Sequence, residues 1–270
     1  MEFSDCFLLV FGQLAVGGLF GLAVPPFQVL ERGFYKSSAG VFLFCAALFV
    51  AGKVALVLRA GGTTGGRVAE IGLWTAFTVA AAVYLASLWG DAGRRRARAY
   101  TTALALGLIA LTASASLHRL GPLLSLATIL YPLAFLMAAL ALGAAASGML
   151  LGHWYLIDLG LSIVPLQRMF RYFVGVLVAQ LAVLALTVLA LGLGPGAAAV
   201  HSLWQDHAAL LTARIVLGPC AALGLSYLIH RTLQIPQTMA ATGLFYIAIL
   251  AVMVGELLGR LILLRTSLPL

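Results

Sequence analysis

The sequence predicts an all-α integral membrane protein, a single bundle of eight transmembrane helices. Of its 270 residues, 63% are hydrophobic and only 9% are charged, and the mean hydropathy is +1.10. Soluble domains carry roughly 25% charged residues, so this chain has too few charges to build a solvated surface. Apolar blocks of about 20 residues, the length that crosses a bilayer core of about 30 Å, also recur along the whole chain.

The apolar blocks follow one another from the first residues to the last. The connections between them are short and rich in Gly, Pro and Arg, which leaves no room for a soluble domain, so residues 1–270 are expected to form one polytopic membrane domain. The first block follows Glu2 and Asp5 without a basic residue, which is unlike a secretory signal, and it should be retained as a span. The predicted spans are 6–26, 38–58, 69–89, 100–117, 123–151, 172–194, 208–229 and 238–264.

The basic residues near the span ends predict the orientation. Nine Lys and Arg residues lie in the connections after the odd-numbered spans, against four on the opposite side. Positive charge is enriched on the cytoplasmic side of membrane proteins. Both termini are therefore predicted on the outer (periplasmic) side of the cell inner membrane.

Small residues and prolines predict how the spans pack. Gly17/Gly21, Ala144/Gly148 and Gly218/Ala222 are small pairs four residues apart, a spacing that lets helix backbones approach closely. Pro132 in the fifth span and Gly218-Pro219 in the seventh either kink their helices or break them around a cavity.

Several spans carry polar groups that are costly in a membrane. Glu256 and Arg260 lie four residues apart on one face of the last span, and on the predicted topology they fall in the outer half of the bilayer. A charged group at mid-membrane costs roughly 2.5–3.5 kcal/mol, so such groups should turn inward and either pair structurally or line a pocket for protons, an ion or a polar headgroup. The candidates for this outer site are Gln13, Lys53, Glu70, His118, Arg214, Glu256 and Arg260.

The inner side has one textured segment, residues 147–173. His153 and the aromatic residues after it suit the interface, and residues 156–170 alternate apolar with polar groups. We predict a short surface-lying segment there; the alternative is an inner binding site that uses His153 and Asp158.

Composition also limits the cofactors and partners. The net charge of +8 comes mostly from residues between apolar blocks, which indicates lipid-headgroup contact and no nucleic-acid binding. The three cysteines form no CxxC pair, so a disulfide frame, a zinc site and cluster ligation have no support, and we expect no bound metal. The histidines divide between the outer side (His118, His201, His207) and the inner side (His153, His230), which leaves a dihaem b-type cytochrome open as an alternative.

Three short segments resemble the membrane anchor subunits of the NrfD, polysulfide reductase and dimethyl sulfoxide reductase family. They are "FGQLAVGG" (11–18), "ASLHRLGPL" (115–123) and "GELLGR" (255–260). The resemblance implies a quinone-interacting subunit without a redox cofactor of its own, which exchanges electrons with an iron–sulfur partner. It also implies a quinone site towards the outer face near a histidine, which in this sequence is His118.

The first functional hypothesis is therefore a quinone- or quinol-binding subunit of a respiratory electron-transfer complex, with a proton-handling pocket in the outer half of the bilayer. As part of an oxidoreductase, it would be either non-catalytic or quinol-oxidising. A proton- or ion-coupled small-molecule transporter that uses Lys53, Arg214, Glu256 and Arg260 is the alternative, and the dihaem cytochrome is the second.

Overall fold

The computed structural model describes residues 2–62, 64–119, 125–158, 160–194, 197–235 and 237–270. Within these ranges all regular secondary structure is helical. The helices are α1 Glu2–Leu22, α2 Arg32–Ala60, α3 Gly65–Ser87, α4 Gly93–Leu117, α5 Ala127–Ile157, α6 Val164–Gly192, α7 Ala197–Asp206, α8 Ala208–Ile215, α9 Ala221–Gln234 and α10 Thr238–Thr266, with a π-helical turn Val216–Cys220 between α8 and α9.

Eight helical segments in the described ranges are long and apolar enough to cross a membrane, as predicted. They are α1 from Phe3, α2, α3, α4, α5, α6, the continuous segment Ala208–Gln234, and α10. The chain is thus a multi-pass membrane protein by length and composition. Large apolar side chains on the outside of the bundle, including Phe44, Val79, Leu189 and Leu250, are exposed and suited to lipid contact.

Most spans extend beyond the apolar blocks. The second span begins at Arg32 and the sixth at Val164, where residues 38 and 172 were predicted. Hydropathy locates the apolar centre of a span, whereas the hydrogen-bonded helix continues into its polar flanks. The first span instead stops early, at Leu22, just before the Pro25-Pro26 pair. The predicted start of the fifth span, residues 123 and 124, lies outside the described residues.

Two connections differ from the prediction. The predicted surface-lying segment 156–170 is divided, because Ile157 ends α5, Val164 begins α6, and the described residues between them form a turn and a bend. The short helix α7, Ala197–Asp206, was not predicted at all. It buries Leu203 and leaves Trp204 exposed. Its ten residues are too few to cross a membrane and include His201, Gln205 and Asp206, so the segment does not resemble a span.

The core of the bundle is built around α1, α5 and α10, which bury the largest shares of their residues. α1 packs along α5, and α5 also contacts α6 and α10. Close packing depends on glycine: a Cβ atom at Gly17 would overlap the backbone of Ala139, and one at Gly21 would overlap Ser147. The predicted use of Gly17 and Gly21 as a packing face is therefore confirmed.

The prolines lie inside helical segments without interrupting them. Pro132 lies inside α5, and Pro219 lies inside the π-helical turn of the seventh span. The turn accommodates a residue that lacks a backbone N–H while the segment Ala208–Gln234 stays helical throughout. A broken seventh helix, one of the two readings left open by the sequence, is not what the structure has.

The last four residues turn back onto the bundle. Ser267 adopts a left-handed backbone conformation with φ of 59° and ends α10, and the Tyr131 hydroxyl donates a hydrogen bond to its carbonyl oxygen. Leu268 and Leu270 are buried. Residues 267–270 therefore belong to the core.

Candidate functional site

Side chains at the ends of four helices meet at one end of the bundle. Asp5 near the start of α1, Val57 near the end of α2, Thr64 just before α3 and His118 just after α4 line one cavity there. We call this the Asp5 end. The opposite end, where Trp154 of α5 packs against Phe34 of α2, is the Trp154 end.

Lys53 is held between two carboxylates at the Asp5 end. Its Nζ atom lies 3.2 Å from Asp5 Oδ1 and 3.6 Å from Glu70 Oε2. On the other side of Glu70, the Ser114 hydroxyl donates to Oε1 at 2.5 Å, and the Trp74 indole N–H donates to Ser114 Oγ at 2.8 Å. We call Asp5, Lys53, Glu70, Trp74 and Ser114 the Lys53 cluster. Glu70 is buried, and a buried carboxylate needs partners because water is scarce around it. Both of its oxygens have such partners, Ser114 and Lys53.

Asp5, Lys53 and Glu70 of the Lys53 cluster form one wall of a cavity of about 520 Å³. Arg67 and His118 contribute further polar groups to its lining. The apolar part of the lining comes from Leu56, Val57, Ile71, Leu117 and Leu264. Concave sites that combine an apolar lining with a few convergent polar groups are typical of small-molecule binding.

His118 caps the end of α4 and is neutral at physiological pH. The pKa of His118 is lowered to about 4, chiefly by burial and in addition by the positive charges of Lys53 and Arg260. Asp5 acts in the opposite direction, raising the pKa, and Arg67 adds a smaller lowering effect. The sequence had led us to expect a histidine that titrates near its ordinary value of about 6.5. The half-buried, neutral imidazole can instead donate one hydrogen bond and accept another without taking up a proton.

A second cluster lies inside the bundle, around Glu256 of α10. Arg214 Nη2 lies 2.8 Å from Glu256 Oε1, and the Gln180 amide donates to the same oxygen at 2.5 Å. Arg260 Nη2 is 3.7 Å from Glu256 Oε2, an ion contact too long for a hydrogen bond. We call Gln180, Arg214, Glu256 and Arg260 the Arg214 cluster. All four side chains are at least 95% buried, and Arg214, Glu256 and Arg260 are 2%, 1% and 1% exposed.

Glycines and the π-helical turn give Arg214 its place. A Cβ atom at Gly218 would lie 2.8 Å from Arg214 Nη1 and 3.0 Å from the Cα atom of Gly255. A Cβ atom at Gly259 would lie 2.8 Å from Arg214 Nε. The Arg214 guanidinium therefore lies in a channel between the seventh span and α10. The channel exists because Gly218 of the π turn and Gly255 and Gly259 of α10 carry no side chain.

Phe135 of α5 lies between the cavity at the Asp5 end and the Arg214 cluster. The Arg260 guanidinium lies over its ring, and the His118 imidazole stacks near the same ring at a centroid distance of 6.3 Å. Cations are attracted to the faces of aromatic rings, more strongly where water is excluded. The residues predicted for one outer site thus lie in a cavity and in a separate buried cluster, on the two sides of one phenylalanine.

The residues predicted for the outer site divide between the cavity and the Arg214 cluster with one exception. Lys53, Glu70 and His118 line the cavity, and Arg214, Glu256 and Arg260 form the internal cluster. The exception is Gln13, which is fully buried in α1 but belongs to neither the cavity lining nor the Arg214 cluster. Neither of its amide atoms has a hydrogen-bond partner within the described part of the chain.

Sequence reasoning missed Asp5, Trp74, Ser114 and Gln180 as site residues. Asp5 was used only as a topology signal, although an acidic residue beside the first span could have suggested a partner for a buried lysine. Gln180 is a polar residue in the middle of an apolar span, which was a usable signal. Ser114 and Trp74 are compatible with any transmembrane helix, and only the fold identifies them.

The inner candidates have separate surroundings at the Trp154 end. His153 Nδ1 is 3.3 Å from the Tyr246 hydroxyl, and Asp158 accepts a hydrogen bond from the backbone N–H of Gly160 at 3.1 Å. A cavity of about 360 Å³ at this end is lined by other residues, among them Tyr35, Tyr84 and Arg96. A binding site that uses His153 and Asp158 stays a prediction.

Three of the histidines considered for haem each contact a different aromatic side chain. His118 stacks near Phe135, His230 stacks near Phe170, and His153 contacts Tyr246. Among the residues the structure describes, no group of three or more His, Cys, Asp or Glu side chains could hold a metal ion. Haem binding stays a prediction for a spectrum to test.

Comparison of the chain with protein-family models, curated proteins and solved structures finds no match. The resemblance of residues 11–18, 115–123 and 255–260 to the anchor subunits accordingly stays a prediction. Part of the second segment, residues 120–123, lies outside the described residues.

Proposed function

We propose that the chain is a quinone- or quinol-binding subunit of a membrane electron-transfer complex, with the cavity at the Asp5 end as the headgroup site. The observation that carries the proposal is Lys53, held between Asp5 and Glu70 in the wall of a cavity of about 520 Å³ that also contains His118.

The chemistry of the lining suits a quinone head. A quinone carbonyl needs a hydrogen-bond donor, and Lys53 Nζ and the neutral imidazole of His118 are donors on this wall. Leu56, Val57 and Ile71 supply apolar surface for the ring and the start of its tail. The polar groups thus orient the head while the apolar ones hold it.

Proton transfer has candidate groups in the same place. Reduction of a quinone adds two electrons and two protons, and oxidation of a quinol returns them. Lys53 can donate a proton, and the carboxylates of Asp5 and Glu70 can accept one. Glu70 is positioned by Ser114 and Trp74, so its second oxygen stays directed at Lys53.

The electrons would be exchanged with a separate redox subunit, of the iron–sulfur class that the anchor resemblance implies. The chain would lie in the cell inner membrane with the Asp5 end outward, where the distribution of basic residues places it. Its lipid-facing helices and its quinone cavity would then be the anchor's two contributions to the complex.

The test is quinone binding by the purified chain. The protein in lipid nanodiscs is titrated with decylubiquinone and with a short-tailed menaquinone analogue, and binding is followed by quenching of tryptophan fluorescence, because Trp74 belongs to the Lys53 cluster. Lys53→Met and Glu70→Gln should each weaken binding by about tenfold or more, as expected when one buried hydrogen bond to a charged group is removed.

Lys36→Met is the matched control, since Lys36 is the other lysine of the chain and its Nζ lies over the Trp89 ring, away from the cavity. It should leave the quinone affinity unchanged. Absence of binding of both quinones to the wild-type chain, or equal affinity in Lys53→Met, would contradict the proposal.

A proton- or ion-coupled carrier is the second candidate, and the π-helical turn beside Arg214 favours it. π-helical turns are frequent at functional sites, and this one packs against Gly255 next to a buried ion pair. A carrier predicts flux from the chain alone in proteoliposomes, abolished in Arg214→Gln. A quinone-binding anchor predicts no such flux.

A further inference from the structure

The Arg214 cluster contains more positive than negative charge. Arg214 and Arg260 each carry one positive charge, and among the described residues Glu256 is the one Asp or Glu side chain with a carboxylate oxygen within 4.0 Å of either guanidinium. Gln180, the fourth member, is neutral. The cluster therefore has a formal excess of one positive charge at 1–2% exposure.

Part of each guanidinium also has no partner. Nε and Nη1 of both Arg214 and Arg260 are buried, and neither atom pair has a hydrogen-bond acceptor in the described ranges. Each guanidinium uses only its Nη2 atom on Glu256. An arginine side chain presents five N–H donors and no acceptor, so its unused donors can be satisfied only by an acceptor or an anion.

The two guanidiniums share a small cavity. Gln180, Arg214 and Arg260 line it together with apolar residues of α5 and α6 and with Pro269 and Leu270. Its volume is about 10 Å³, which corresponds to roughly one water-sized occupant. The turned-back residues 267–270 form part of this enclosure.

We infer that the Arg214 cluster binds one small inorganic anion of halide size, held between the guanidiniums of Arg214 and Arg260. A water molecule could accept hydrogen bonds from the unused N–H groups, but it would leave the excess charge unbalanced. An uncompensated buried charge costs several kcal/mol. Arginine does not lose its proton in a protein, so the cluster is neutralised only by negative charge close to the guanidiniums, and a small anion in the cavity that they share would supply it.

The neighbouring polar cluster does not supply the missing negative charge. At the Asp5 end, the carboxylates of Asp5 and Glu70 are matched by Lys53 and by Arg67 in the same cavity. Phe135 separates that cavity from Arg260. The inference stands on the Arg214 cluster alone and does not depend on quinone binding.

The experiment compares chloride with gluconate, an anion too large for the cavity, at constant ionic strength. Thermal unfolding of the purified full-length protein is followed as chloride replaces gluconate. A ligand that binds only the folded state raises the midpoint as its concentration rises. The wild-type midpoint should increase with chloride and with bromide and reach a plateau as the site fills.

Two variants should change this dependence in opposite directions. Arg214→Gln brings the formal charge of the cluster to zero and should weaken the apparent chloride affinity by at least about tenfold. Glu256→Gln doubles the excess charge and should strengthen chloride dependence, even if it lowers the midpoint in gluconate. Arg265→Gln, an exposed arginine on the same helix, is the matched control and should behave as wild type.

Equal wild-type midpoints in chloride and gluconate would overturn the inference and leave a water-filled site. A chloride effect of the same size in wild type and in both cluster variants would overturn it as well, because the anion would then act elsewhere. If Arg214→Gln does not fold, the direction of the Glu256→Gln effect decides. Bromide located by anomalous scattering within hydrogen-bond distance of both guanidiniums would support the site directly.

Discussion

The guanidinium carbon of Arg260 lies 4.5 Å from the centre of the Phe135 ring. Phe135 is fully buried, so this contact forms away from water. The His118 imidazole stacks near the same ring, at an angle of 26° between the two planes. The ring thereby joins the internal charge cluster to the cavity at the Asp5 end.

Replacing Phe135 by Leu should uncouple Arg260 from its surroundings. A desolvated cation–π contact contributes about 2 kcal/mol. A double-mutant cycle of Phe135→Leu with Arg260→Gln, measured as free energy of unfolding in mixed micelles, should give a coupling of about 0.5–2 kcal/mol. Phe173→Leu in place of Phe135→Leu should be additive with Arg260→Gln, since Phe173 packs against Phe245. A Phe135 coupling near zero would contradict the contact.

Neutralising Glu256 should strongly destabilise the fold. Glu256→Gln leaves two buried guanidiniums without their carboxylate, and breaking a buried ion pair in this way costs about 3–5 kcal/mol. The measurement is the unfolding free energy in gluconate buffer. Asp206→Asn serves as the control, because Asp206 is exposed and its contact is the Ser202 hydroxyl. A Glu256→Gln protein as stable as Asp206→Asn would refute the structural role of the pair.

Gly17→Ala should disrupt the packing of α1 on α5. The added Cβ atom would overlap the carbonyl group of Ala139, a backbone atom that cannot rotate away. Overpacking of this kind costs about 1–3 kcal/mol, and more where backbone must move. Gly175→Ala on α6 is the matched control, since its Cβ would meet nothing within 4 Å. The control should match wild type or gain up to about 1 kcal/mol from helix propensity.

The stability of the protein should fall between about pH 6.5 and pH 4 because of His118. The folded state holds the pKa of His118 at about 4, below its ordinary 6.5, so in this window the unfolded chain binds more protons. Above pH 6.5 His118 is neutral in both the folded and the unfolded state, and the free energy of unfolding has its full value. As the pH falls towards 4, protonation of His118 in the unfolded chain lowers the free energy of unfolding. The groups that face the imidazole are Lys53, Arg67, Arg260 and Asp5.

His118→Gln should flatten this part of the pH profile of the unfolding midpoint. His201→Gln, at an exposed position on α7, should leave it as in wild type. Identical slopes in wild type and His118→Gln would show that other groups carry the pH dependence.

The membrane architecture was predictable because it depends on length and apolarity alone. Each span needs about 20 apolar residues, and the eight blocks supply them. The burial of Glu256 and Arg260 was predictable for a related reason, since neither group can face lipid cheaply. Gly17 and Gly21 were predictable as a packing pair from their spacing.

The division into two clusters was not predictable, because it depends on how each helix is rotated. Gln180 and Arg214 reach the same oxygen of Glu256 only after α6 and the seventh span have packed against α10. Helix rotation follows from the summed side-chain contacts of neighbouring spans, which no single segment contains. The short helix α7 was missed for a simpler reason, since ten residues of mixed polarity resemble a connection.

The π-helical turn at Val216–Cys220 takes up about one residue more than an α-helical turn of the same rotation. An α-helix advances by about 100° per residue, and the wider turn absorbs that surplus, so the α-helical parts on either side keep their facing. Loss of one residue here, with return to α-helical geometry, would leave Arg214 nearly in register with α9. A frame-preserving loss of one codon should therefore be tolerated better in this turn than in the middle of α5 or α10, which have no π turn to absorb it.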